Sequence, residues 1–191
     1  RGAGRSKPFG EMKENRTSEL INDFEKLRLY LKINKWVLFG GSWGSTLALA
    51  YAEAHPNICL GLILRGIWLG RSQDIDHFFQ EIGKFFPERK EEFYNFIAKK
   101  EQINLLQAYY KKIINPDPKI HMPAAQSFAR YEIGSSFHEP TNNLNNLNTE
   151  KNFVLGLART ELHYFVHKFF LIENQIIDNL DKIKSIPCKI I

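Results

Sequence analysis

The sequence predicts an α/β fold, in which a parallel sheet carries an all-helical block inserted after one of its strands. An apolar run at 36–39 ends at Gly40-Gly41 and precedes an Ala- and Leu-rich helical segment, which is the order strand, sharp turn, helix. Residues 58–67 form a second apolar run without alternation, as expected for a parallel strand covered on both faces. From Gly70 to about Leu180 the spacing of apolar residues is helical, which predicts a cap over the sheet.

These elements suggest three ranges. Residues 1–70 form a core segment, 71–180 a helical cap and 181–191 a return to the sheet. A first helix is predicted from Thr17 or Ser18 as N-cap, since apolar residues follow at helical spacing. The cap helices are predicted at 75–86, 91–100, 103–114, 123–131 and 153–170, with a polar loop at 142–148 and a last strand from 186. Because the chain opens in a loop and stops within a strand, we expect a core that is incomplete at both ends.

The turn after the first strand carries a nucleophile pattern. Gly40, Ser42 and Gly44 form G-x-S-x-G between a strand and a helix, the nucleophile elbow of α/β-hydrolases. The serine sits on a strained turn, so the residues two positions away must be small for strand and helix to approach. The alternatives are a phosphate-binding turn, which would want a nearby lysine that this segment lacks, or a plain tight βα loop.

Composition excludes several other classes of function. The net charge of +5 comes from lysines interleaved with acidic residues, which indicates a solvated surface and no nucleic-acid partner. No apolar run is long enough for a bilayer and no secretory signal opens the sequence, so no membrane association is expected. Cys59 and Cys188 lie in apolar runs and are predicted to be buried thiols of a cytoplasmic protein. No metal site or cofactor is expected, and the sequence does not indicate an oligomeric state.

Beyond the elbow, several segments resemble the proline iminopeptidases, which are serine peptidases of the α/β-hydrolase fold. The similarity extends over nearly the whole chain and is strongest in the glycine-rich start, the elbow and the cap. The matching segments are residues 1–6, 40–46, 64–67, 73–76, 85–87, 130–132 and 158–165.

The resemblance implies release of an N-terminal proline from a peptide substrate. Ser42 would attack the prolyl carbonyl to give a prolyl-enzyme ester, and the backbone N–H of Trp43 would be one oxyanion donor. The family's second donor and its catalytic Asp and His fall outside this sequence, so we expect a fragment that is inactive alone. The chain's own histidines are expected to be structural or exposed.

The resemblance also implies a pocket for the substrate's cationic N-terminus. Glu132 and Glu161 would bind the cation, and Trp68, Phe78 and Phe165 would enclose the proline ring. Glu161 and Phe165 are four residues apart and therefore share a helix face. The alternatives are solvated surface charges for the glutamates and ordinary core packing for the aromatic residues.

Two other functions remain open from the sequence. One is an esterase or amidase of the same fold, whose apolar acyl pocket would not need Glu132 and Glu161. The other is a non-catalytic homologue that only binds peptides or a partner, which would not need the base that activates Ser42.

Overall fold

The computed structural model describes residues 1–136 and 151–191, so the predicted loop at 142–148 lies outside the described residues. The chain forms two compact units. The sheet unit comprises Arg16–Asp74 and Lys168–Ile191, and the helical unit comprises Arg1–Asn15 and Ile75–His167. The units divide the chain elsewhere than the ranges expected from the sequence, because the first fifteen residues belong with the helices.

The sheet unit is built on three parallel strands in the order β1-β2-β3, which confirms the predicted α/β class. Gly40 lies opposite Leu64, and Leu62 lies opposite Cys188. In chain order its helices and strands are α1 (Thr17–Tyr30), β1 (Trp36–Ser42), α2 (Trp43–Ala54), β2 (Cys59–Ile67), α8 (Gln175–Asp178) and β3 (Cys188–Ile190). The short helix α3 (Ser72–Asp76) begins in the sheet unit, and its last two residues belong to the helical unit.

Helix α2 supplies a larger part of the buried core of the sheet unit than any other single element. Its small and apolar side chains, including Leu49 and Ala52, are buried together with Leu62 and Leu64 of β2. The dense run of alanines in α2 lets the helix lie close to the strands. Helix α2 ends at Ala54, directly before His55-Pro56, because the residue that precedes a proline disfavours the helical conformation.

The helical unit contains four longer helices among its described residues. They are α4 (Pro87–Asn95), α5 (Leu105–Ile113), α6 (Pro118–Ser135) and α7 (Lys151–Val166). A π-helical turn at His77–Glu81 precedes them. The core is aromatic: the Phe93 ring stacks between Tyr109 and Tyr131, with ring centroids 4.3 and 4.2 Å away. The predicted helical character is confirmed, although the predicted helix at 75–86 is divided by the π-helical turn.

The N-terminal segment packs on α7 within the helical unit. Asn15 is 2% exposed, and its side-chain oxygen accepts a hydrogen bond from the Tyr164 hydroxyl at 3.0 Å. The Asn15 carbonyl lies 2.9 Å from Nε2 of His163. A Cβ added to Gly156 would lie 2.3 Å from the Phe9 ring, so glycine is needed there for the segment to approach the helix.

Three local predictions are wrong. Thr17 is not an N-cap: Arg16 holds that position, and the Thr17 hydroxyl donates to the carbonyl oxygen of Phe169. The last long helix ends at Val166 and not at residue 170, because the next residues turn left-handed. Cys188 is exposed on β3, whereas Cys59 is buried as predicted.

Across residues 1–136 and 151–191, no helix is both long and apolar enough to cross a bilayer.

Candidate active site

The turn between β1 and α2 has the strained geometry of a nucleophile elbow. Ser42 ends the strand with φ 52° and ψ −127°, a left-handed backbone that residues with a Cβ seldom adopt. Its side chain is exposed, and the helix begins at the next residue. The backbone N–H of Trp43 is therefore the first of α2, at the positive end of the helix dipole. This arrangement presents a hydroxyl beside a donor suited to a developing oxyanion.

The two glycines of the elbow differ in what they do. A Cβ on Gly40 would lie 2.1 Å from the carbonyl oxygen of Gly44, so the strand can meet the helix only if Gly40 has no side chain. A Cβ on Gly44 would meet no described atom within 4 Å, apart from those of its own helix and chain neighbours. The expectation of a required small residue thus holds for Gly40, whereas Gly44 contributes its backbone to the close approach.

Two buried hydroxyls behind the elbow were not among the predicted site residues. Ser45 and Thr46, both 0% exposed, follow Ser42 on the inner side of α2. The Ser45 hydroxyl donates to the Ser42 carbonyl at 2.7 Å and accepts from the Trp68 N–H at 2.9 Å. The Thr46 hydroxyl donates to the Trp68 carbonyl at 2.5 Å. Polar residues on the buried side of an otherwise apolar helix were the available signal, and they fix the segment after β2 against the elbow.

The predicted cation ligands lie in the helical unit, on adjacent helices. Glu132 is on α6 and Glu161 on α7, and these helices pack against each other. Burial raises the pKa of the Glu132 carboxyl. Burial, together with the charge of Glu132, raises the pKa of Glu161 well above its usual range. Among the described residues, no hydrogen-bond donor or cation lowers either pKa. The two glutamates are therefore partly buried, and their surroundings disfavour the charged form of both carboxyls.

The predicted aromatic residues are divided between the two units. Phe78 and Phe165 are both in the helical unit, with ring centroids 5.1 Å apart and exposures of 8% and 7%. The Tyr131 hydroxyl donates to the Phe78 carbonyl at 2.8 Å, within the π-helical turn. Trp68 belongs to the sheet unit, where its backbone is held by α2. The low exposure of the two phenylalanines shows that they also pack in the core.

Several histidines of the helical unit hydrogen-bond to backbone carbonyls. Nδ1 of His121 lies 2.8 Å from the Asn115 oxygen, and Nδ1 of His167 lies 2.8 Å from the His163 oxygen. In the part of the chain that the structure describes, there is no group of three or more His, Cys, Asp or Glu side chains that could hold a metal ion.

The fold and the elbow define a class of protein. The family model described as alpha/beta hydrolase fold matches residues 1–168, and the chain belongs to this family. Within this family, the chain is similar to a group of curated relatives. The chain is 43% identical to a proline iminopeptidase of Arabidopsis thaliana, with all of the chain and 51% of the relative covered. It is 40% identical to a probable proline iminopeptidase of Leptolyngbya boryana and 37% identical to a proline iminopeptidase of Neisseria meningitidis serogroup B. Both alignments cover the whole chain and 60% and 61% of the relatives, so the chain spans about half to three fifths of these proteins.

Proposed function

We propose that this chain is part of a serine aminopeptidase that releases proline from the N-terminus of peptides. The similarity to three relatives named as proline iminopeptidases supports the substrate class. The observation that carries the proposal is the carboxylate pair of Glu132 and Glu161, which lacks a compensating cation among the described residues. A buried charge normally has a partner. The protonated secondary amine of an N-terminal proline would provide one.

The chemistry proposed for the sheet unit is acyl transfer. The Ser42 hydroxyl attacks the prolyl carbonyl, and the bond to the leaving amine breaks after a tetrahedral intermediate forms. The N–H of Trp43 donates to the oxyanion of that intermediate. Water then attacks the prolyl ester of Ser42 and releases free proline. A general base must accept the serine proton and then deliver it to the nitrogen of the leaving amine. His55, the histidine of the sheet unit, packs on the Tyr51 ring at 5.1 Å and is not assigned that role.

The first experiment tests the nucleophile. The natural protein should hydrolyse a proline-linked chromogenic amide, and Ser42→Ala should lower kcat by several orders of magnitude, as loss of the nucleophile does in triad enzymes. Ser18→Ala on the exposed surface of α1 is the matched control and should leave kcat unchanged. Full activity of the Ser42→Ala variant would contradict the assignment.

The second experiment tests the cation site. Glu161→Gln removes one charge of the pair and should reduce kcat/KM for a prolyl amide with a free N-terminus. The same variant should have much less effect on an N-acetylated prolyl ester, which carries no cation. Equal losses on both substrates would exclude cation binding by Glu161. They would leave the esterase or amidase function as the better description.

The site of action is proposed to be the cytoplasm. Both cysteines are free thiols, which suits a reducing compartment. The proposed partner is the peptide substrate, and acyl transfer to Ser42 needs no cofactor.

A further inference from the structure

A strained turn follows the last long helix, at the point where the chain re-enters the sheet unit. Lys168, Phe169 and Phe170 have φ angles of 50°, 57° and 54°, so three successive residues with side chains are left-handed. The left-handed region is disfavoured for every residue with a Cβ, because the Cβ approaches the following carbonyl oxygen. Such a conformation persists only where the surroundings determine it.

The surroundings of Phe169 belong to the elbow. Its side chain is 3% exposed, and its ring stacks on the Trp43 indole with centroids 5.2 Å apart and planes 30° apart. The ring also meets Trp68 edge-on at 6.0 Å. A Cβ on Gly70 would lie 3.3 Å from the same ring, so the glycine leaves room for it. The Phe169 carbonyl accepts the hydroxyl proton of Thr17.

These contacts connect the turn to the reacting groups proposed above. Trp43 follows the nucleophile directly and carries the proposed oxyanion donor on its backbone. An indole held on one face by a stacked ring has little freedom to rotate, and its backbone is then restrained with it. Trp68, another contact of Phe169, is hydrogen-bonded to Ser45, which in turn donates to the carbonyl of Ser42. Phe169 is therefore connected to the elbow directly through Trp43 and indirectly through Trp68 and Ser45.

We infer that Phe169 is a positioning residue: through its stack on Trp43 it holds the N–H that follows Ser42 in the orientation needed to stabilise the oxyanion. The left-handed turn at residues 168–170 directs the Phe169 ring onto the Trp43 indole. The inference rests on the proposed function, because it assigns a role within the same acyl-transfer reaction. It concerns the transition state, and substrate binding should depend on it little.

The test compares two substitutions in the same turn of the natural protein. Phe169→Ala removes the ring and should lower kcat for a prolyl amide by about 10- to 100-fold, which is less than the roughly 10²- to 10³-fold loss that follows complete removal of an oxyanion donor. KM should change much less than kcat, because the proposed cation ligands Glu132 and Glu161 and the hydrogen bonds that hold the Trp68 backbone are retained. Lys168→Gly keeps the ring, and glycine accepts the left-handed backbone at no steric cost. This matched control should keep kcat at the wild-type level and raise Tm.

A second measurement tests the role of Phe169 without depending on the proposed proline substrate. A fluorophosphonate probe reacts with an activated serine and its oxyanion site without any proline pocket. Phe169→Ala should slow labelling of Ser42 by a factor similar to its fall in kcat, and Phe169→Tyr should restore the rate. If the wild type is labelled but does not cleave prolyl amides, the proposed function fails and the labelling rates still test Phe169.

Three results would overturn the inference. The first is that kcat and the labelling rate of Phe169→Ala stay within about twofold of the wild-type values. The second is that Lys168→Gly loses as much kcat as Phe169→Ala does. The third applies if Phe169→Ala does not fold, in which case Phe169→Leu replaces it, because leucine is apolar but cannot stack on the indole. An unchanged labelling rate of Ser42 in Phe169→Leu overturns the inference, and a slower rate supports it.

Discussion

Neutralising Glu161 should make the protein more stable while it impairs the proposed function. Burial and the charge of Glu132 both raise the pKa of Glu161, and no described donor offsets them. The folded protein therefore binds a proton at Glu161 more tightly than the unfolded chain does. Stability must then fall as pH rises from about 4.5 through the raised pKa of the folded state, because the unfolded chain loses its proton first.

The size of the effect follows from the cost of an unpartnered buried polar group, about 1–3 kcal/mol and more when it is charged. The amide introduced by Glu161→Gln would itself need partners, so we expect this substitution to gain about 1–2 kcal/mol at pH 8. For a cooperative unit of 150–250 residues, each kcal/mol moves Tm by about 2–4 °C. The expected rise is thus about 2–8 °C at pH 8, shrinking towards zero near pH 4.5.

Thermal melting of the natural protein at several pH values provides the assay. Glu91→Gln is the matched control, because Glu91 lies exposed on α4 and should give no pH-dependent difference. The reasoning is refuted if Glu161→Gln lowers Tm at pH 8, since that would require a stabilising partner for the carboxylate. A rise that is the same at pH 5 and pH 8 would also refute it.

Two further predictions concern the sheet unit. Gly40→Ala should prevent the elbow from forming and abolish activity, because its Cβ would lie 2.1 Å from the Gly44 carbonyl oxygen, whereas Gly44→Ala should yield folded protein. Soluble expression and circular dichroism of the two variants check this, and a stable, active Gly40→Ala variant would contradict it. The hydrogen bond from Arg28, followed by that from Tyr51, lowers the pKa of Glu25 to about 2. Glu25→Gln should therefore cost about 1–3 kcal/mol at pH 7, and the deficit should shrink as pH falls from about 4.5 towards 2. Urea unfolding at pH 7 and pH 3 measures it, and an equal deficit at both pH values would exclude the mechanism.

Much of the sheet unit could be predicted from local sequence. The boundary between β1 and α2 follows from Gly40-Gly41 and the alanines, and Pro56 marks the end of α2. These signals are local, since a glycine without room for a Cβ or a proline without an N–H acts on its immediate neighbours. The N-cap at Thr17 could not be predicted correctly, because its hydroxyl bonds to Phe169, far away in the sequence.

The turn at Phe169 shows a second limit of sequence reasoning. Left-handed residues are usually glycines, and residues 168–170 contain none, so the apolar spacing continued the predicted helix through them. Tertiary packing against Trp43 and Trp68 selects the conformation instead. The proximity of the two carboxylates likewise depends on tertiary packing. Nothing in the local pattern places Glu132 beside Glu161, and only the resemblance to a family suggested it.

Each unit retains a feature that costs stability, and these costs separate the alternative functions. A non-catalytic binding protein has no need for Ser42 at a φ of 52°, since an unstrained turn would join the same strand and helix. An esterase with an apolar acyl pocket has no need for Glu161 beside Glu132, since apolar or amide side chains would avoid the desolvation. Destabilising groups of this kind are characteristic of functional sites. Their presence together in one chain therefore favours the aminopeptidase proposed above over either alternative.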